Sequence, residues 1–252
     1  MRRLLLALAL LGSPALIPLV VEPAFAAPTV DQILAAVDQN LTFDSRTAHV
    51  TMTVVKPNRT KVYEIVSYGR GEEEGATEFL APARDAGTRM LKKNDELWIY
   101  MPSVEKVQKL SGHMLREGMM GSDVSYEDML EASNWRTQYT ATVLPDEMIN
   151  GRPCWVLDMS AKTPDVSYPK RKVWIDQGWS LPVRQELFAL SGMLLKVWTM
   201  EDPVQYGTRW YPTKMVIEDK FQQGTRTELV FTELKFSVAL EDEVFTTRWL
   251  ER

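Results

Sequence analysis

The chain has 252 residues, with 29 Lys and Arg, 34 Asp and Glu, and a formal net charge of −5. The acidic excess is modest and spread along the sequence, which gives no electrostatic case for nucleic acid as a partner. Two histidines and one cysteine, well apart, make no zinc pattern and no intrachain disulfide.

The first residues read as a secretion signal. Arg2 and Arg3 form a positive start, and residues 4–21 are almost wholly apolar. Ala24-Phe25-Ala26 gives the small-x-small pattern of a cleavage site. Pro14 and Pro18 argue against a membrane anchor, and no cysteine at the cleavage point would take a lipid. Cleavage after Ala26 is expected to leave residues 27–252 as a single domain outside the cytoplasm.

In chain order, that domain opens on a helix. Val30, Ile33, Leu34, Val37 and Leu41 share one face, and Thr29 with Gln32 forms a capping box. The period then changes to two: Val50, Met52 and Val54 alternate with threonines in "AHVTMTVVK". "KVYEIVSYGR", "TEFLAPA", "GTRMLKKN" and "DELWIYMPSVEKVQKL" continue the pattern, with "GEEEG" as a solvated acidic turn. After an irregular region come "TQYTATVL", "CWVLDMSAK", "RKVWID", "VRQELFA", "MLLKVWTME", "RWYPTKMVIED" and "TELVFTELKFS". Turn signals such as Asn150-Gly151 and Ser191-Gly192 separate them. Many short strands with such turns predict an antiparallel sheet, closed or half closed into a barrel.

The irregular region "EGMMGSDVSYEDML", Glu117 to Leu130, is the longest insertion. Ser125 and Asp128 can cap a short helix whose Tyr126, Met129 and Leu130 fall on one side. Gly118 and Gly121 let the chain turn around Met119 and Met120. Met101 and Met114 lie close by in sequence, and methionine suits surfaces that accept variable apolar partners. Ordinary packing of a cover against a barrel explains the same methionines, and both readings stay open. Trp98, Trp155, Trp174 and Trp198 sit in predicted strands and read as core, with some inward positions facing any cavity. "PKRK" reads as a solvated strand face or loop, with a surface for anionic lipid as the alternative.

Catalysis finds little support. There is no G-x-S-x-G elbow and no H-E-x-x-H. His49 falls in a strand and His113 in a loop, with nothing that marks a triad. "DVSYED" lacks the ligand order and the turn glycine of a calcium loop. Cys154 precedes an apolar run and reads as a small core residue. No catalytic residue, metal ligand or cofactor is assigned.

Three places carry a family resemblance. Asp95, Leu97, Trp98, Tyr100 and Pro102 are similar to the D-x-x-L-W-x-Y-x-P strand of the LolA-like outer-membrane lipoprotein-sorting protein family. "MGSDVSYEDM" resembles the M-G-S-D-F-S-Y-E-D-L signature of one branch, with Val124 for phenylalanine and Met129 for leucine. "LEDEVFTTRWL" resembles the closing F-T element. The resemblance implies a half-open antiparallel β-barrel with an N-terminal helix and a short helical lid over its concave face. It implies a periplasmic carrier that shelters lipid or lipoprotein acyl chains, without chemistry, on the way to the outer membrane. Carriers of the family pass lipoproteins from an inner-membrane exporter to an outer-membrane acceptor, and this branch is associated with RND-superfamily exporters. A monomer is expected. On this reading the cavity and lid candidates are Trp98, Tyr100, Met101, Met114, Met119, Met120, Tyr126 and Met129. Gly121, Ser122, Asp123, Ser125 and Asp128 would structure the lid. The alternatives are an accessory protein docking on an exporter or envelope complex and, last, a hydrolase using carboxylates such as Asp123, Glu127 and Asp128.

Overall fold

The computed structural model describes residues 27–130, 135–164 and 166–252. The signal-peptide reading of residues 1–26 lies outside them. Helix α1 spans Val30–Leu41. The predicted capping box is present: Thr29 Oγ1 accepts from the Gln32 N–H and the Thr29 N–H donates to Gln32 Oε1 at 2.9 Å. Ile33, Leu34 and Val37 are its buried stripe.

Among the described residues thirteen strands form one antiparallel sheet. They are β1 (Ser45–Lys56), β2 (Arg59–Arg70), β3 (Glu74–Ala81), β4 (Arg89–Lys93), β5 (Glu96–Met101) and β6 (Lys106–Leu110). The second series is β7 (Tyr139–Ile149), β8 (Arg152–Ala161), β9 (Lys170–Asp176), β10 (Leu181–Phe188), β11 (Leu194–Tyr206), β12 (Arg209–Asp219) and β13 (Arg226–Phe236). The order is β6-β5-β4-β3-β2-β1-β13-β12-β11-β10-β9-β8-β7. Each series is a meander of neighbours in sequence, and the pairing of β1 with β13 joins the two. The sheet is unclosed, with β6 and β7 as its edges.

Alternation decides which side chains enter the concave face. On β1, Ala48, Val50, Met52 and Val54 point inward, and the register sets Met52 opposite Tyr63 and Leu229. Phe79, Met90, Leu97, Ile99 and Ile217 extend this core across the sheet. Helix α1 covers the other half of the same face, packing on Leu157, Met159, Val173 and Ile175. Asn40 fastens its end: the side-chain amide donates to the Trp179 and Ser180 carbonyls at 2.8 and 3.1 Å and accepts from the Trp210 N–H at 2.8 Å. Cys154 is fully buried on the outer face with Val156 and Trp174. The C-terminal helix α4 (Thr247–Leu250) closes the outer face of β3, β4 and β5 with Phe245, Trp249 and Leu250.

Candidate functional site

The segment between the two sheet edges carries two 3₁₀ turns (Gly112–Arg116 and Met119–Gly121) and two short helices, α2 (Tyr126–Leu130) and α3 (Trp135–Gln138). It folds back over the concave face as a cover. Residues 117–126 close on themselves: the Met119 N–H donates to the Val124 carbonyl at 2.7 Å, and the Tyr126 N–H to the Glu117 carbonyl at 3.1 Å. A Cβ on Gly118 would stand 2.1 Å from the Ser122 carbonyl oxygen, so the turn admits only glycine there. Gly121 and Met120 complete it with positive φ.

The polar residues of this turn are fasteners. Ser122 Oγ accepts from the Val124 N–H at 3.2 Å. The Asp123 carboxylate is buried and accepts from Thr225 Oγ1 at 2.6 Å and Thr227 Oγ1 at 2.7 Å. Ser125 caps α2: its Oγ accepts from the Asp128 N–H, and its own N–H donates to Asp128 Oδ2 at 2.7 Å. Asp128 then reaches the sheet. Lys196 Nζ on β11 lies 2.5 Å from Oδ2, and the Tyr168 hydroxyl donates to Oδ1 at 2.6 Å.

Beside the cover lies a cavity of about 390 Å³, within the range of small-ligand pockets. Its apolar walls include Met90, Met129, Leu187, Trp198, Met200 and Met215. Leu41 at the end of α1, Phe43 just after it and Trp135 of α3 also line it. Arg46, Lys92 and Arg171 bring positive charge to the wall, with Glu72 from the turn after β2 and Glu74 at the start of β3. Arg46 donates to the Tyr211 hydroxyl and lies 4.6 Å from the Phe43 ring centroid. Its Nε and the Trp198 Nε1 are buried donors with no acceptor among the described residues. Burial holds the Lys92 ammonium below its usual range, opposed by Asp95 and Glu72 from longer distance.

The sequence candidates divide four ways. Met129 and Asp128 line the cavity. Met119 is buried in the main core, and Met101, Met114, Met120 and Tyr126 pack against that core without lining the cavity. The Tyr63 hydroxyl donates to the Met120 carbonyl at 3.2 Å, which seats the turn on β2. Trp98 and Tyr100 point the other way on β5, into the outer-face cluster with Phe245 and Trp249. Gly121, Ser122, Asp123 and Ser125 all lie in the turn and its cap.

One charged stretch behaves otherwise than its composition predicts. "PKRK" is not uniformly solvated: Arg171 is 3% exposed and stacks over Tyr139 at 4.9 Å and Tyr168 at 5.5 Å. Strand alternation sends it inward between an outward Lys170 and Lys172, and three charges in a row hide that from a composition reading. "GEEEG" is a solvated turn with Glu72 and Glu73 exposed, and it also borders the cavity through Glu72 and Glu74. Arg46, Lys92, Lys196, Tyr168 and Thr227 carried no local signal. Among the described residues no group of three His, Cys, Asp or Glu is placed to hold a metal ion, and no helix is long and apolar enough to cross a membrane.

An open antiparallel sheet, curled around an apolar space and roofed by a tethered cover, is a cavity-bearing half-barrel. A family model described as that of an uncharacterized protein matches residues 71–252, more than half of the chain. A search of curated proteins gives no match. A LolA superfamily protein from Nitrosomonas europaea is 26% identical, with a TM-score of 0.73 over 88% of this chain and 100% of its own. A Vibrio parahaemolyticus domain named for outer membrane lipoprotein sorting is 25% identical, with a TM-score of 0.77 over 87% and 98%. A DUF1329 family protein from Desulfovibrio piger shares the fold at 21% identity, with a TM-score of 0.80 over 86% and 96%. The chain belongs to the LolA-like outer-membrane lipoprotein-sorting protein family.

Proposed function

We propose that residues 27–252 form a periplasmic carrier that shelters an acyl chain, of a lipid or a lipoprotein, during transfer toward the outer membrane. The observation that carries this reading is the methionine- and tryptophan-walled cavity under the cover. Each methylene withdrawn from water is worth about 0.8 kcal/mol, so a long chain crosses an aqueous space only when covered. Methionine walls accept chains of different shape, which suits a carrier that must also release. No bond making or breaking is required of the site. An inner-membrane exporter of the RND superfamily and an outer-membrane acceptor are the partners this role calls for. The carrier works as a monomer, after cleavage of residues 1–26.

Native mass spectrometry of gently purified protein tests the role. Copurified lipid or lipoprotein is expected, together with saturable binding of a fluorescent acyl probe. A protein that carries nothing and ignores the probe would overturn it.

A further inference from the structure

The cavity wall contains a transverse row with an unusual composition. Cα register sets Arg46 opposite Gly69, Gly69 opposite Gly75, and Gly75 opposite Lys92, across β1, β2, β3 and β4. All four residues line the cavity. Paired residues of an antiparallel sheet share a face, so two long cationic side chains flank a floor of two glycines. Strands run about 4.8 Å apart, so the two end Cα atoms stand about 14 Å from each other, and both side chains can reach toward the middle. Gly69 lets the Arg46 guanidinium lie down on the sheet: a Cβ there would meet the Phe43 ring at 3.2 Å and Arg46 Nε at 3.7 Å. A side chain at Gly75 would meet only the Lys92 Cβ and the Tyr68 carbonyl, both beyond 3.6 Å, so it would project into the cavity.

Among the described residues no carboxylate forms an ion pair with Arg46 or Lys92, the two cations of this floor, and Glu72 and Asp95 act on Lys92 only through space. The nearby acids are engaged elsewhere. Glu74 is held by Arg70 at 2.6 Å and Lys93 at 3.4 Å, and Glu72 accepts from Thr42 Oγ1 at 3.2 Å. Asp128, on the far side, is neutralised by Lys196. The next row inward, Ala48, Ser67, Thr77 and Met90, begins the passage to the apolar walls.

We propose that the Arg46–Gly69–Gly75–Lys92 row is a seat for an oxyanion head group, so that the cargo is an anionic single-chain amphiphile whose head is bound inside the cavity. The inference rests on the acyl-carrier reading and specifies its ligand. The head, a carboxylate or a phosphate monoester, lies over the two glycines between the cations. The alkyl chain runs inward past Met90 to Trp198 and Met215. The Arg46 guanidinium, which gives one N–H to the Tyr211 hydroxyl, supplies charge-assisted donors to the head.

Displacement of a neutral naphthylamine probe by dodecanoate, dodecyl phosphate and dodecanol, the anions below their micelle concentrations and the alcohol below its solubility limit, tests this. The wild type is expected to bind at least one of the two anions about tenfold or more tighter than dodecanol. Preference for dodecanoate alone assigns the seat to carboxylates, and preference for dodecyl phosphate alone to phosphates. R46Q and K92Q should each remove most of the preference while dodecanol binding stays within about twofold. Circular dichroism checks that both variants fold, and K92Q alone decides if R46Q does not. Equal binding of dodecanol and both anions, or a preference that survives the substitutions, overturns the seat and leaves the carrier reading standing. A protein that binds neither the probe nor any of the three ligands overturns both.

Discussion

Asp123, at the tip of the cover, and Thr227, on β13, hold each other in both directions. Thr227 Oγ1 accepts from the Asp123 N–H at 2.8 Å and donates to Asp123 Oδ2 at 2.7 Å, and both residues are buried. Hydrogen bonds to a buried carboxylate are among the strong ones, and removing one partner leaves the other desolvated and unpaired. D123A is therefore expected to destabilise the protein by about 2–4 kcal/mol in urea unfolding. Hydrogen exchange should accelerate first in residues 111–130. A D123A protein of wild-type stability, with an unchanged exchange pattern, would show that Asp123 does not fasten the cover.

The second fastening is ionic. The Lys196 and Asp128 side chains are 12% and 2% exposed, so neither charge has water to fall back on. Breaking a buried pair from one side costs about 3–5 kcal/mol, whereas replacing both partners by apolar groups costs far less. K196M and D128L alone should each destabilise strongly, and the double variant should recover part of the loss. Additive losses in the double-mutant cycle would mean that the two side chains act independently.

Gly118 tests the turn itself. Its φ of −69° is open to any residue, so only the 2.1 Å approach of a Cβ to the Ser122 carbonyl forbids a side chain. G118A should cost about 1–3 kcal/mol, as overpacking against backbone does. G121A meets nothing within 4 Å, and its penalty comes from a φ of +78° alone, about 1 kcal/mol. Reversal of that order in thermal unfolding would contradict the geometry.

Asp176 makes the acid limb of stability predictable. Burial favours its neutral form, but the Arg152 hydrogen bonds and the N–H groups of Trp179 and Gly178 outweigh that and hold its pKa below 3.8. A depressed folded pKa gives stability that is complete above the unfolded value and is lost as the pH falls through the folded value. The stability gap between wild type and D176N should thus be constant near neutrality and shrink below about pH 4. A gap that stays constant down to about pH 3 would remove Asp176 from the acid response.

Local chemistry was legible in the sequence wherever it closes over a few residues. The period-two strands, the Thr29–Gln32 box and the Ser125–Asp128 cap each involve near neighbours. The cover's outside partners were not legible, because Tyr168, Lys196 and Thr227 lie 40, 68 and 104 residues from the groups they hold. The face of β5 is another such case. Leu97 and Trp98 are equally apolar, and only the docking of Trp249 on one side decides that Trp98 faces out. The glycine floor is invisible for the same reason: Gly69 and Gly75 flank a turn, and only the register aligns them between Arg46 and Lys92.

The route of the cover has a mechanical consequence. The chain leaves one free edge of the sheet at Leu110, is pinned by Asp123 to β13, the seventh strand in an order of thirteen, and rejoins the sheet at the opposite edge at Tyr139. It is a strap of fixed contour length, buckled to both rims of a bowl and riveted at the midline. With the rivet in place each half of the strap limits how far its own rim can spread. With that rivet drawn, the strap is still held to β11 by Asp128 and Lys196 and to β2 by the Met120 carbonyl and Tyr63. Spreading of the two rims therefore requires the fastenings at Asp128 and Met120 to give as well as the one at Asp123.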